Sequence, residues 1–492
     1  MQNTQRNVIF SVIGYVLPLL AALATIPVMV MRLGVDLYGL YVICTALIGF
    51  MTLVDLGVGQ SVIKYVSAYE VSGEHHKVEP VLGVALLVYV MIGLLSALAL
   101  YVFAPAIANA LYTASEKRAL AQEVLRITAL PLLFSYINQF FLNVCKAYHR
   151  FDVPAVIHNA GNLGGIVLAT LLLLFGYSLV TVMWGYALIQ ALAFVAGYVF
   201  SLRILPRGIR FFPYFHRLIF EEIVSFSFYT FVGNFVSSVA YRADKLLIGM
   251  VIGTETVTYY QIPFTIAQMA NGIIHTLVHI AFPRFTELFT LHKRSALLAL
   301  YRKVGDIMFL ISMVIAVLLI TVGGAFLSLW ISPEFAQQSA LTLQIIAVFF
   351  FLHSNTVTGY WVLQGGGQAK LTALIAVIGT IAYFVGVYQL GNAYAHNGVA
   401  LALFLLLLAT PLQYGWIAKH IGQYSADYAV RLLFFGLLAY VIIYLLAHLN
   451  RWLQHDWWEI VVNGLLMLPL LVFGVMKLLA ERTPPKPIGG TK

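Results

Sequence analysis

About fourteen stretches of this chain are each long and apolar enough to cross a lipid bilayer, and that leaves few folds open. They run near 8–31, 38–62, 80–103, 122–145, 153–175, 179–200, 223–250, 257–281, 303–330, 340–363, 370–389, 396–418, 427–448 and 457–479. A bilayer core about 30 Å thick takes about 20 apolar residues as a helix. No water inside it meets a stray backbone N–H or C=O, so a span must satisfy its own hydrogen bonds as an α-helix. With 61% hydrophobic and 10% charged residues over 492 positions, most of the chain belongs in lipid. The expected fold is an all-α integral membrane protein. The first stretch ends in Met31-Arg32 without a small-residue cleavage site, and reads as a span rather than a removable signal.

Basic residues orient the spans. With the N-terminus inside, 21 of the 28 lysines and arginines fall on inner loops and tails, against Arg32, Lys117, Arg118 and Arg451 outside. The positive-inside rule then places both termini in the cytoplasm. The net charge of +9 lies mostly on that inner rim, where it suits anionic lipid headgroups rather than nucleic acid. Cys44 and Cys145 sit in different apolar spans and read as buried small hydrophobes.

The chain also repeats itself. Tyr41, Thr45, Ile48, Asp55, Gly59 and Lys64 precede Gln261, Thr265, Gln268, His275, His279 and Arg284 by 220 positions. Further along the offset is 218, pairing Tyr112 with Trp330, Glu116 with Glu334 and Arg126 with Gln344. Six spans per copy is an even number, so the copies run in parallel and are expected as two facing lobes. The expected division is an N-lobe at 1–200, a cytoplasmic interfacial linker at 201–222, a C-lobe at 223–420, two extra helices at 421–480, and a polar tail.

Polar residues inside the spans carry the functional expectation. Gln261, Thr265, Gln268, Asn271, His275 and His279 recur every three or four residues, which keeps them on one helical face. Tyr41, Thr45, Thr52 and Asp55 form the matching stripe of the second span. Ser135, Gln139, Asn143 and Lys146 mark the fourth, and Asn234, Ser238, Tyr241 and Lys245 the seventh. Such faces are costly against lipid, so they are expected to line a cavity.

Intramembrane charge sharpens this. Arg126, Arg242 and Lys245 outnumber Asp55 and Asp244 within the spans. Each charge at mid-helix costs about 2.5–3.5 kcal/mol on insertion scales, so each needs a partner or water. Local pairing of Asp244 with Arg242 or Lys245 accounts for one couple. The surplus cation, joined by Lys64 and Lys146 at the inner ends, suits a pathway for an anion. Asp55 and Asp244 are candidates for ion coupling or for pairing. No metal-ligand spacing, phosphate-binding loop or Ser/His/Asp grouping stands out, so no cofactor is expected. Gly161, Gly164 and Gly165, and Gly365 to Gly367, read as packing or turn positions.

Met31-Arg-Leu-Gly-Val-Asp-Leu-Tyr-Gly-Leu-Tyr41, then Asp55-Leu-Gly-Val-Gly-Gln-Ser-Val-Ile-Lys64, then Asp244-Lys-Leu-Leu-Ile-Gly249 form an ordered set. It resembles the polysaccharide-transporter family, the Wzx-type O-antigen and exopolysaccharide flippases. These belong to the multidrug/oligosaccharidyl-lipid/polysaccharide exporter superfamily. The resemblance implies two six-helix lobes around a cavity that opens alternately to either side. It also implies an undecaprenyl-diphosphate-linked oligosaccharide as substrate, membrane lipids as surroundings, and glycan polymerases and glycosyltransferases as pathway partners. Lipid II flippases and drug/cation antiporters share the superfamily. This chain has no charge between Val8 and Met31, unlike the former, and few intramembrane acids, unlike the latter.

Overall fold

A computed structural model describes residues 2–53, 58–206, 211–221, 223, 244–279, 282–422, 425–450, 453 and 456–480, excluding the side chains at 2–19, 50–53 and 273–279 among others. The described residues are mostly helical, without strands. They form α1 (Gln2–Leu53), α2 (Val58–Ser72), α3 (Val78–Leu111), α4 (Ser115–Ala147), α5 (Asp152–Leu174) and α6 (Leu179–Ile204). Then come α7 (Asp244–Val251), α8 (Thr254–His279), α9 (Phe282–Thr290), α10 (Arg294–Trp330) and α11 (Pro333–Gly365). Last are α12 (Ala369–Ala402), α13 (Thr410–Ile421), α14 (Ser425–Asn450) and α15 (Asp456–Ala480).

Ten helical segments among the described residues are long and apolar enough to cross a membrane. The four further expected spans have specific explanations. The first two spans run together in α1, broken only at Gly34 (φ 76°), and the eleventh and twelfth join across 370–421. The seventh lies largely outside the described residues. The eighth is α8, whose polar stripe lowers its hydropathy.

The duplication is visible in the backbone. α4 and α11 are both 33 residues long and begin 218 positions apart. Left-handed turn residues recur at offsets of 218 or 219: Gly34 with Gly253, Gly73 with His292, His149 with Gly367, and Gly176 with Ala395. A turn that needs positive φ is a local steric fact. Its recurrence therefore marks equivalent breaks in two copies.

The contacts divide the chain into two compact units, Met1–Thr258 and Tyr259–Lys492. In the first, the core gathers around Tyr89, Tyr136, Phe140 and Phe141, where α2, α3 and α4 meet. The linker packs into this core rather than lying wholly on the membrane surface. Phe211 stacks edge-on against Phe140 and Phe141 at 5.6 and 5.3 Å, while Phe212, Phe215 and Leu218 stay exposed beside Arg217. Gly161 and Gly164 let α5 approach α6, with Ala193 and Ile189 side chains 3.6 Å from a Cβ built at each. In the second unit, Met308, Ile311, Leu363 and Ile417 join α10, α11 and α13. Phe309, Phe435 and Met467 join α10 to α14 and α15. Cys44 and Cys145 are free and buried.

Candidate functional site

The fourth-span stripe divides between two neighbours instead of facing one space. Ser135 donates to Gln190 of α6 at 3.1 Å. Asn143, buried two turns on, donates to the Tyr89 hydroxyl of α3 at 3.0 Å and accepts from Lys146 Nζ at 3.2 Å. These bonds join helices where lipid gives no hydrophobic drive for association. Gln139 between them is half-buried and makes no hydrogen bond among the described residues. Ser67 of α2 donates to the Ala147 carbonyl at 2.6 Å, which brings Lys64, one turn earlier, to the same end as Lys146. Lys64 is exposed, with its ammonium 4.8 Å from the centre of the Tyr65 ring. Nearby, Tyr148 donates to Glu70 at 2.8 Å; burial, and then the Glu70 carboxylate, push its phenol above the ordinary value.

Lys245 is not a bare cation. Its ammonium lies 2.7 Å from the Asp244 carboxylate, and the two side chains are only 5% and 1% exposed. The adjacency of Asp244 and Lys245 at the start of α7 makes this pairing local. Thr45, half-buried, donates back to the Tyr41 and Val42 carbonyls at 3.0 and 3.1 Å. In α8, Gln261 donates to Thr265 at 2.9 Å with its own side-chain oxygen buried, and Gln268 is exposed one turn beyond Thr265. Asn271 is buried and accepts from Ser354 of α11 at 2.6 Å. Asp55, Asn234, Ser238, Tyr241 and Arg242 lie outside the described residues, as do the side chains of Thr52 and His275.

A cluster absent from the expected stripes holds the opposite end, where α3 turns into α4. Asp36 accepts from Lys117 at 2.5 Å and from the Thr254 hydroxyl. Thr258 donates to the Val35 carbonyl at 2.6 Å, and Gly39 sits so close to Thr254 that a Cβ would overlap its carbonyl oxygen. Val35 meets Thr258, and Gly39 meets Thr254: each pair is the other shifted by 219 positions. The second segment of α1 and the start of α8 thus meet through residues that are equivalent in the repeat. The available signal was Asp36 itself, an acid within the first quoted motif.

The first unit also contains a cavity of about 400 Å³ between α1, α3, α4 and α7, lined by Leu47, Leu95, Leu100, Phe103, Leu132 and Leu246. Among the described lining residues Ser96 alone bears a hydroxyl, so these walls suit hydrocarbon better than sugar.

This arrangement of helices occurs in solved membrane transporters. It is similar to the lipid II flippase MurJ in an inward closed conformation (TM-score 0.77, 14% identity, 96% of this chain and 99% of that one). It is also similar to an inward-facing multidrug resistance MATE family transporter of the MOP superfamily (TM-score 0.67, 14% identity, 82% and 94%). The fold is therefore that of a multi-pass membrane transporter. Residues 4–289, more than half of the chain, match the polysaccharide biosynthesis protein family, and the chain belongs to it. A Shigella flexneri protein named as an O-antigen transporter is 21% identical over 416 residues, covering 84% of this chain and 97% of that protein. These relatives are transporters rather than enzymes.

Proposed function

We propose that this protein moves an undecaprenyl-diphosphate-linked oligosaccharide repeat unit from the inner to the outer leaflet of the bacterial cytoplasmic membrane, by alternating access, with both termini in the cytoplasm. The observation that carries the reading is the membership of a polysaccharide biosynthesis family by a chain with the fold of lipid and drug transporters. Lys64 and Lys146, brought to one end of the α2–α4 pair, are suited to receive a diphosphate as it enters. Arg242 is assigned to the same path. Gln139, Thr265 and Gln268, none of them fully buried, offer amides and a hydroxyl to sugar hydroxyls. Enzymes that build and polymerise the glycan are the natural partners on either side of the step.

The Asp36–Lys117–Thr254 cluster fits the same scheme. It ties the second segment of α1 to α4 and the start of α8, at the end where the carrier would leave. A drug/cation antiporter needs an acid free to bind its cation; the Asp244 charge is instead matched by Lys245. The membrane potential supplies a drive, whether or not an ion is counter-transported. Each negative charge moved outward from a negative interior gains about 2.3 kcal/mol per 100 mV.

The test is transbilayer movement of a lipid-linked oligosaccharide in liposomes holding the purified protein. Movement should rise with an inside-negative potential and fall in the Lys64→Ala, Lys146→Ala double variant. No movement by folded protein, across several glycan carriers, would reject the flippase reading in favour of drug/cation exchange.

A further inference from the structure

Arg126 lies in the groove between α3 and α4, with its guanidinium carbon 5.1 Å from the centre of the Tyr101 ring. Both terminal nitrogens lie 3.0 Å from the Gln122 side-chain amide, whose oxygen accepts from them when oriented by that contact. Nε is buried with no hydrogen-bond partner, and Arg126 forms no ion pair with any described residue. A guanidinium has five donor hydrogens. One amide oxygen leaves most of them unmet.

The surroundings are apolar. Tyr101 is 51% exposed and shares its side of α3 with the exposed Leu98 and Val102; Leu130 is exposed one turn beyond Arg126 on α4. In a chain this hydrophobic, such a surface meets acyl chains. Depth is set by helix geometry. α4 has 33 residues, about 50 Å of helix, which is about 20 Å more than a bilayer core spans. Arg126 follows Ser115 by eleven residues, and a helical side chain leans towards the N-terminus. Its guanidinium therefore falls near the boundary between acyl chains and headgroups, on the membrane face where α3 turns into α4.

The repeat supplies the control. The equivalent of Arg126 is Gln344, in the equivalent groove between α10 and α11, where its amide donates to the Ile320 carbonyl at 3.2 Å. The groove is thus packed by a neutral side chain in one copy and a cation in the other. Packing alone does not require the charge.

We propose that Arg126, supported by Gln122 and Tyr101, binds the phosphate of a membrane lipid from the side of the protein. A phosphate oxygen fork matches the planar guanidinium donors, and the tyrosine face holds the cation in place. The site stands on the α3–α4 groove and does not depend on the transport reading. Its phosphate has two possible sources, a bilayer phospholipid or the polyprenyl carrier.

Native mass spectrometry of the full-length protein separates these sources, with dioleoyl phosphatidylglycerol, undecaprenyl phosphate and, as a phosphate-free control, dioleoylglycerol. Arg126→Gln places in the first copy the residue that the second copy already accommodates, so it should fold with an unchanged melting temperature. The expected result is about tenfold weaker retention of phosphatidylglycerol, of undecaprenyl phosphate, or of both, with Arg126→Lys recovering part of the loss. A loss confined to one lipid names the source. Equal retention of both phosphates by Arg126→Gln, or an equal loss of dioleoylglycerol, would overturn the assignment.

Discussion

Replacing Asp36 by Ala should release the start of α8 from the second segment of α1. Asp36 is 16% exposed and accepts two bonds, from a Lys117 side chain that is 53% exposed and from the hydroxyl of the buried Thr254. Solvent screens the lysine bond, which is therefore worth only about 0.2–1 kcal/mol. The threonine bond, to a charged acceptor, contributes about 1.5–3 kcal/mol. Losing both costs about 2 kcal/mol after reorganisation, which is about a 30-fold shift in the balance between closed and open arrangements of that end. Asp36→Asn keeps an acceptor for Thr254 and loses mainly the lysine term, so its shift should stay below about fivefold. The assay is pulsed electron spin resonance with nitroxides at Thr113 and Glu255, both exposed, after replacing Cys44 and Cys145 by Ala. The Ala variant should gain a longer-distance population, with Asn between it and the parent. Identical distance distributions for parent and Asp36→Ala would refute the assignment of Asp36 as the group that holds this end.

Asp244→Leu would remove the carboxylate paired with the buried Lys245 ammonium, and should cost about 3–5 kcal/mol, read as a marked fall in melting temperature of the detergent-purified protein. An unchanged melting temperature would show that the pair is dispensable. Gly83→Leu should expel the linker, because a Cβ there falls 2.3 Å from the Tyr214 ring. Tryptic cleavage at the exposed Arg217 should then accelerate several-fold, and equal cleavage rates would count against linker docking. Asn143→Leu removes the amide that bonds the buried Tyr89 hydroxyl, at about 0.5–1.5 kcal/mol. Lys146→Ala, by contrast, should leave stability nearly unchanged while slowing lipid-linked oligosaccharide movement about tenfold; the reverse pattern would reverse their roles.

The helical spans and the duplication were legible because each depends on local information. A run of about 20 apolar residues has one solution in lipid, whatever lies beside it. Gly34 and Gly253, or Gly176 and Ala395, interrupt helices at equivalent places because a backbone break is written in a few adjacent residues. The pairing of Asp244 with Lys245 was equally local. Partners across helices were another matter. A period of 3.6 shows which residues share a face and not what that face meets. Ser135 and Asn143 share a stripe yet turn to α6 and α3.

Register shows the limit most clearly. Matching residue types over the second and eighth spans favours an offset of 220, whereas the contacts of Val35 with Thr258 and Gly39 with Thr254 set it at 219. One residue is 100° on a helix, so the polar stripe of α8 is not the direct image of Thr45 and its neighbours. The sequence by itself determined that this chain is a duplicated bundle of membrane helices with polar faces and surplus cations, since hydropathy and helical period act within single segments. Only the tertiary structure decided which of those groups meet. Asn143 meets both Lys146 and Tyr89, Asp36 receives Lys117 and Thr254, and Arg126 lies over Tyr101 on an apolar surface. Apart from the Lys146–Asn143 bond within α4, these contacts join different helices, and packing rather than pattern chooses them.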